Sequence, residues 1–370
     1  MTPQPRDLRA YFAAGVAILV LAATAPFTAA AAAEPPQAGQ FSPTESPLPV
    51  FELHSGFWVN LHHFLYLQAR LAGGGGGAAD RGRGAAPANV EPAAVKDLSA
   101  EEKTSWERSI AFYAQDLAGR DLQVNSEMEI INNRLSEMEN CADLSGKSVP
   151  GCTSGLRANL VTALEGAAPV YRTHWWPEQD LANRRWIAAI APLVREKGVE
   201  LSQQLTEVYQ RPWPAGQLRV DVVWYAGPYG AYTSVNPIHV TISSRDARNQ
   251  GIYGFEVLFH ESSHVLAGAV TEAIAREFRR RDKPIPRDLW HALLFYTAGE
   301  LVRRDVANWQ AASDAAPGDD PARYQPYAAR FGLYSGSWGR FRSLLDIYWR
   351  PYLEGRTRFD SAISRLAFAQ

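Results

Sequence analysis

The 370-residue sequence predicts an α+β protein in which helix predominates. Apolar residues recur at helical spacing along most of the chain, while only residues 217–243 alternate with β-branched side chains in the manner of strands. With 46% hydrophobic and 21% charged residues, the composition is that of a chain with a buried core, neither disordered nor a bundle of membrane spans.

The elements follow in order. Arg6 and Arg9 precede an apolar stretch from Tyr11 to Ala23, and small residues end at Ala31, Ala32 and Ala33 before Glu34, Pro35 and Pro36. Residues 1–33 therefore read as an export signal, too short in its apolar part to cross a bilayer comfortably. The mature protein is expected to hold no stable membrane span and to sit in the periplasm or outside the cell. Residues 34–50 form a Pro-rich tether.

Residues 51–210 are expected to form a helical N-terminal region interrupted by a Gly-rich loop at 72–92. Its first helix, 52–71, carries Trp58, Leu61, Leu65 and Tyr66 on one stripe and ends at five glycines. Ser99 caps a helix through Ala118, and others are expected near 122–139 and 154–165. Pro177 opens the next, with Trp186, Ile187, Ile190 and Val194 buried, and Val199–Tyr209 forms a further one. Cys141 and Cys152 flank a polar loop, and in an oxidising compartment they are expected to form one disulfide. His62 and His63 are expected to be one packed and one solvated, while His174, Trp175, Trp176 and Pro177 are expected to be core.

Residues 211–370 form the second unit. A strand at 217–225, a turn cluster at Gly227–Gly230 and a strand ending at 238–242 give a small sheet. Helices are then expected at 252–280, 287–311, 322–331, 337–353 and 358–367. The formal charge is −2, with no cationic stripe to track phosphates, so nucleic acid is excluded as a partner. Arg279, Arg280 and Arg281 suit the negative end of a helix.

Chemistry concentrates at residues 257–266, Val-Leu-Phe-His-Glu-Ser-Ser-His-Val-Leu. On a helix His260 and His264 stand one turn apart on one face, where both imidazoles reach one Zn²⁺. Glu261 beside them is placed to take a proton from water attacking a carbonyl and to deliver it to the leaving amine. This His-Glu-x-x-His segment resembles the zincin metallopeptidases, and the resemblance covers chiefly residues 217–304. The metzincin branch is excluded because Ala267 and Val270 stand where its glycine and third histidine belong.

The resemblance to the gluzincin branch implies a third ligand on a later helix, for which the candidate is Glu300. Leu293, Tyr296 and Glu300 share a helical face there, and Gly299 lets that face approach another helix. The alternative for Glu300 is an ion pair with Arg303 or Arg304. Glu272 and Glu277 lie too far along the first helix, and His291 and Asp288 lie about two turns from Glu300, so the three cannot all bind one ion.

The fold implied is a zincin-like core, a small antiparallel or mixed sheet with a His-Glu-x-x-His helix and a glutamate helix. The function implied is that of an exported metallopeptidase holding one zinc per chain. A peptide or protein substrate would lie along the 231–243 segment, where Pro237 marks an edge. Tyr296, His291, His239, Tyr348 and Tyr352 are the candidates for stabilising an oxyanion. The alternatives are a catalytically silent scaffold of the same fold and a zinc hydrolase acting on a non-peptide amide.

Overall fold

Alternation in the β-branched stretch builds the sheet. The computed structural model describes residues 50–73, 97–306 and 324–370, so the signal-like segment, all of the tether but Val50, and most of the Gly-rich loop lie outside the described residues. Within them, β1 (Phe51–His54), β2 (Leu218–Val223), β3 (Ala231–Val235) and β4 (Ile238–Ser243) form one sheet in the order β1-β2-β4-β3. β1 and β4 run parallel to β2, and β3 returns antiparallel to β4 with Ala231 opposite Ile242. β3 is therefore an edge, and Pro237 sits in the turn between β3 and β4.

Period-two patterning sends alternate side chains to two cores. Val220, Val222, Val240 and Ile242 join the core of the C-terminal helices, whereas Val223 and Tyr232 join that of the N-terminal helices. The N-terminal layer holds α1 (Phe57–Ala72), α2 (Ala100–Asp116), α3 (Ser126–Glu137) and α4 (Ala158–His174). The opposite layer holds α5 (Trp176–Tyr209), α6 (Gly251–Leu266), α7 (Gly268–Arg280) and α8 (Leu289–Asp305), and shorter helices follow at Tyr327–Arg330, Gly339–Leu344, Arg350–Leu353 and Phe359–Ala369. The protein is thus predominantly helical, with a small mixed sheet between helical layers.

Several local expectations change. Residues 51–54 are strand, because Phe51 pairs across from Leu218, and α1 starts only after Gly56. Ser99 closes a reciprocal capping box with Glu102, as its spacing predicts. α5 is one helix of 34 residues running through Pro192 and Gly198 rather than two. Gly198 is needed there, since a Cβ would stand 2.9 Å from Val50 Cγ2. The expected 252–280 helix is two, divided at Ala267.

Polar anchors tie the layers together. Asn60 on α1 donates to the Val222 carbonyl, and its Oδ1 accepts from Trp224 N–H and from Asn183 on α5. His62 and His63 are both buried, correcting the expectation that one is solvated: His62 Nδ1 meets Tyr113 OH at 2.9 Å and His63 Nε2 meets Tyr232 OH at 2.8 Å. Trp175 packs on Trp106 at 4.5 Å between ring centroids, and Trp176 packs on Phe57, but both tryptophans and His174 are only half-buried and Pro177 is exposed, so this segment lies against the core rather than within it. Arg280 and Arg281, in the last turn of α7 and just past it, pair with Glu277.

Cys141 and Cys152 are joined, with Cα atoms 5.5 Å apart and a sequence separation of 11. Trp58 Nε1 donates to the Cys141 carbonyl, fastening this loop to α1. Closing a loop of that size stabilises by about 2–3 kcal/mol in the chain-entropy account. Replacing both cysteines by serine is expected to lower the thermal midpoint by about 4–8 °C. An unchanged midpoint in a melt of the paired proteins would show that the clip constrains nothing.

Candidate metal centre

The site is built on α6, whose sequence Gly-Ile-Tyr-Gly-Phe-Glu-Val-Leu-Phe-His-Glu-Ser-Ser-His-Val-Leu is apolar except where it carries chemistry. Ser262 and Ser263 return their hydroxyls to the Leu258 and Phe259 carbonyls one turn back, which leaves His260, Glu261 and His264 as the polar groups available to a ligand. His260 is buried and His264 is partly open. The beginning of α8 crosses this helix and brings His291 to the pair.

One nitrogen from each of His260, His264 and His291 lies within 4.8 Å of the other two. His260 Nε2 and His291 Nε2 are 3.3 Å apart. Two neutral imidazoles meeting at that distance present lone pairs that a shared proton or cation would satisfy. Burial depresses all three: His264 to about 3, His291 to about 4 and His260 well below the ordinary histidine value, with neighbouring imidazoles adding repulsion at His260 and His264. They are neutral at physiological pH, the form that binds metal. The donor set therefore fits a divalent transition ion with room for a further ligand.

Aromatic rings hold the imidazoles in place. Phe295 stacks on His260 with centroids 3.4 Å apart, Trp290 stacks on His291 at 5.2 Å, and Trp338 meets His291 edge-on at 5.5 Å. Trp338 Nε1 in turn donates to Asp288 just before α8.

Glu261 is turned toward the sheet. Thr233 Oγ1, on the edge strand β3, lies 2.8 Å from both Glu261 Oε2 and the Glu261 carbonyl, so its one proton goes to either. Glu261 Oε2 is 3.9 Å from His264 Nε2. Burial raises this carboxyl to about 7 and the Thr233 hydroxyl opposes the rise. A group that titrates near neutrality beside a metal cluster is matched to proton transfer in either direction.

Glu300 stands elsewhere. The structure brings together His260, His264 and His291 and places Glu300 nine residues along α8, about 13 Å by helical rise. Its carboxylate is held by Arg303, with Nη2 to Oε2 at 2.6 Å, which is the ion pair its i+3 spacing allows. Gly299 does permit a close approach, since a Cβ there would stand 2.5 Å from Pro326 Cβ and 2.7 Å from Glu256 Oε1. Glu256, one turn before His260, is the buried carboxyl that the sequence left unremarked; burial raises it to about 8, and Tyr324 OH and Tyr327 N–H both donate to it.

Three of the proposed oxyanion groups are engaged elsewhere. Tyr296 OH donates to Asp346, Tyr352 OH to the Val208 carbonyl, and His239 faces the N-terminal helices, where its Nε2 lies 2.7 Å from Asn132 Nδ2. Comparison with family models, with curated proteins and with solved structures yields no match. The site's own geometry therefore carries the functional argument.

Proposed function

We propose that the protein is a metal-dependent hydrolase of the zincin type, an exported zinc metallopeptidase in which His260, His264 and His291 hold one Zn²⁺ and Glu261 is the general base. The observation that carries this reading is the convergence of three neutral imidazole nitrogens within 4.8 Å beside a carboxyl raised to about 7. When bound, the ion supplies Lewis acidity and a nucleophilic water.

The chain's own residues do the rest. Glu261 accepts a proton on its carboxylate, whose Oε2 lies 3.9 Å from His264 Nε2, and returns it to the leaving amine. Thr233 holds the carboxylate against β3, so the base and the strand keep one geometry. The edge position of β3 supports a peptide as substrate, and an extended chain would pair near Thr233, because Gln123 already holds the Ala231 carbonyl and Glu129 the Val235 N–H at the two ends of the strand. The disulfide fits an oxidising compartment. Among the described residues no helix is long and apolar enough to cross a membrane.

Elemental analysis of purified protein tests the ligand set. About one zinc per chain is expected in the parent protein, and His260→Ala or His291→Ala is expected to weaken zinc binding by more than about 100-fold, beyond what loss of an outer partner costs. Glu300→Ala is expected to keep the ion. Zinc retained by His291→Ala but lost from Glu300→Ala would replace this ligand set, and a parent protein that binds no zinc would end the proposal.

A further inference from the structure

A cavity of about 390 Å³ lies against α8, away from the histidine cluster. At 100° per residue, His291 and Phe295 share one face of α8, while Tyr296, Glu300 and Arg303 share another rotated from it by about 130°. Phe295 stacks on His260 on one side and on Tyr327 at 5.8 Å on the other, so an aromatic wall stands between the two sites. The far wall comes from a π-helical turn, Leu345–Trp349, that carries Asp346.

The charges in this cavity do not cancel. Arg303 is paired with Glu300 and Arg350 with Asp346. Tyr296 OH knits the second pair together, donating to Asp346 at 2.6 Å and accepting from Arg350 Nε at 2.9 Å. Arg342 remains. Its guanidinium lies 5.9 Å from the Tyr334 ring centroid, and among the described residues no carboxylate stands within ion-pair distance of it. The rest of the lining is mixed: the rings of Tyr324 and Tyr334 and the hydrocarbon of Pro326 and Ala329 stand beside the polar Gln325.

We propose that this cavity binds a small monocarboxylic acid with an aromatic or apolar body, Arg342 taking the carboxylate and the tyrosine rings taking the body. A guanidinium matches a carboxylate through paired N–H donors, and the volume falls in the range of small-ligand sites. Glu300 and Asp346 disfavour a dianion such as phosphate, because one unpaired cation faces two fixed carboxylates already in use. The site is independent of the metallohydrolase reading.

The test is calorimetric titration of the full, chelator-treated protein with phenylacetate, with neutral phenylacetamide and with inorganic phosphate. Removing metal first prevents carboxylate ligation at the histidine cluster from counting as binding. Phenylacetate is expected to bind at least about tenfold tighter than the amide or phosphate, and Arg342→Gln to lose about that factor. Arg342 is exposed, so the variant is expected to fold, which its unchanged melt would verify; Arg340→Gln, also exposed and outside the cavity lining, is expected to bind as the parent does. No phenylacetate binding, equal binding of the amide, tighter binding of phosphate, or an unaltered Arg342→Gln each overturns the proposal.

Discussion

Glu261→Gln is expected to lower peptide hydrolysis by about 10³-fold, within the range for loss of a positioned general base. That factor corresponds to about 4 kcal/mol of transition-state stabilisation. Glutamine keeps the shape and still accepts from Thr233 Oγ1, which lies 2.8 Å from Oε2, so the fold and the zinc content should be unchanged. What glutamine cannot do is take up and release a proton. Burial raises the Glu261 carboxyl to about 7, and a cation bound at the adjacent imidazoles would pull it down toward the carboxylate range. A metal bound there would thus set the proposed base as well as supply the nucleophile. Steady-state hydrolysis of a peptide library by parent and variant, each checked for zinc, provides the measurement. A variant with full zinc and undiminished turnover would remove Glu261 from the mechanism.

How far the sequence reached depended on whether the needed relation was local. His260, Glu261 and His264 were legible because one turn of helix relates them, and Cys141 with Cys152 because a short loop does. Helical spacing also exposed most of the helices and alternation exposed β2, while the single strand expected across 231–243 is two, β3 and β4, folded back on each other at Pro237. The third histidine was not legible, since its place depends on where α8 crosses α6, and no spacing within one helix encodes a crossing point. His291 does carry a signal: a histidine in the first turn of an apolar helix, flanked by Trp290 and followed one turn later by Phe295. Glu300 drew attention as a carboxylate in an apolar stretch, yet Arg303 three residues on explains it locally. β1 was missed because four residues are too few to show a period and their partner lies more than 160 positions away. The burial of both His62 and His63 follows from α1 lying between the sheet and α2, again a tertiary fact.

Acid is expected to unfold the metal-free protein steeply, and buried histidines are the reason. His62, His63, His239, His260, His264 and His291 are all held below 6.5 chiefly by burial, His63 and His291 to about 4 and His264 to about 3. A histidine with a lowered folded-state value takes up its proton only on unfolding, so the stability it contributes is present above about 6.5 and is lost as pH falls from there toward the folded value. Two carboxyls act in the opposite sense. Glu256 at about 8 and Glu261 at about 7 are already protonated in the folded chain and release protons on unfolding, favouring the folded state as pH falls. Six imidazoles against two carboxyls leave a net uptake on unfolding between about pH 6.5 and 4.5. Even two net protons over one pH unit amount to about 3 kcal/mol, a large part of the 5–15 kcal/mol that holds a typical domain together. The thermal midpoint of chelator-treated protein is therefore expected to fall by about 10 °C between pH 7 and pH 5. Saturating zinc should raise the midpoint at pH 7 and raise it less at pH 5, because protons compete for the imidazoles that hold the ion. A midpoint that stays level from pH 7 to pH 5 without metal would mean that these imidazoles are solvated rather than buried, and the neutral three-histidine site would lose its physical basis.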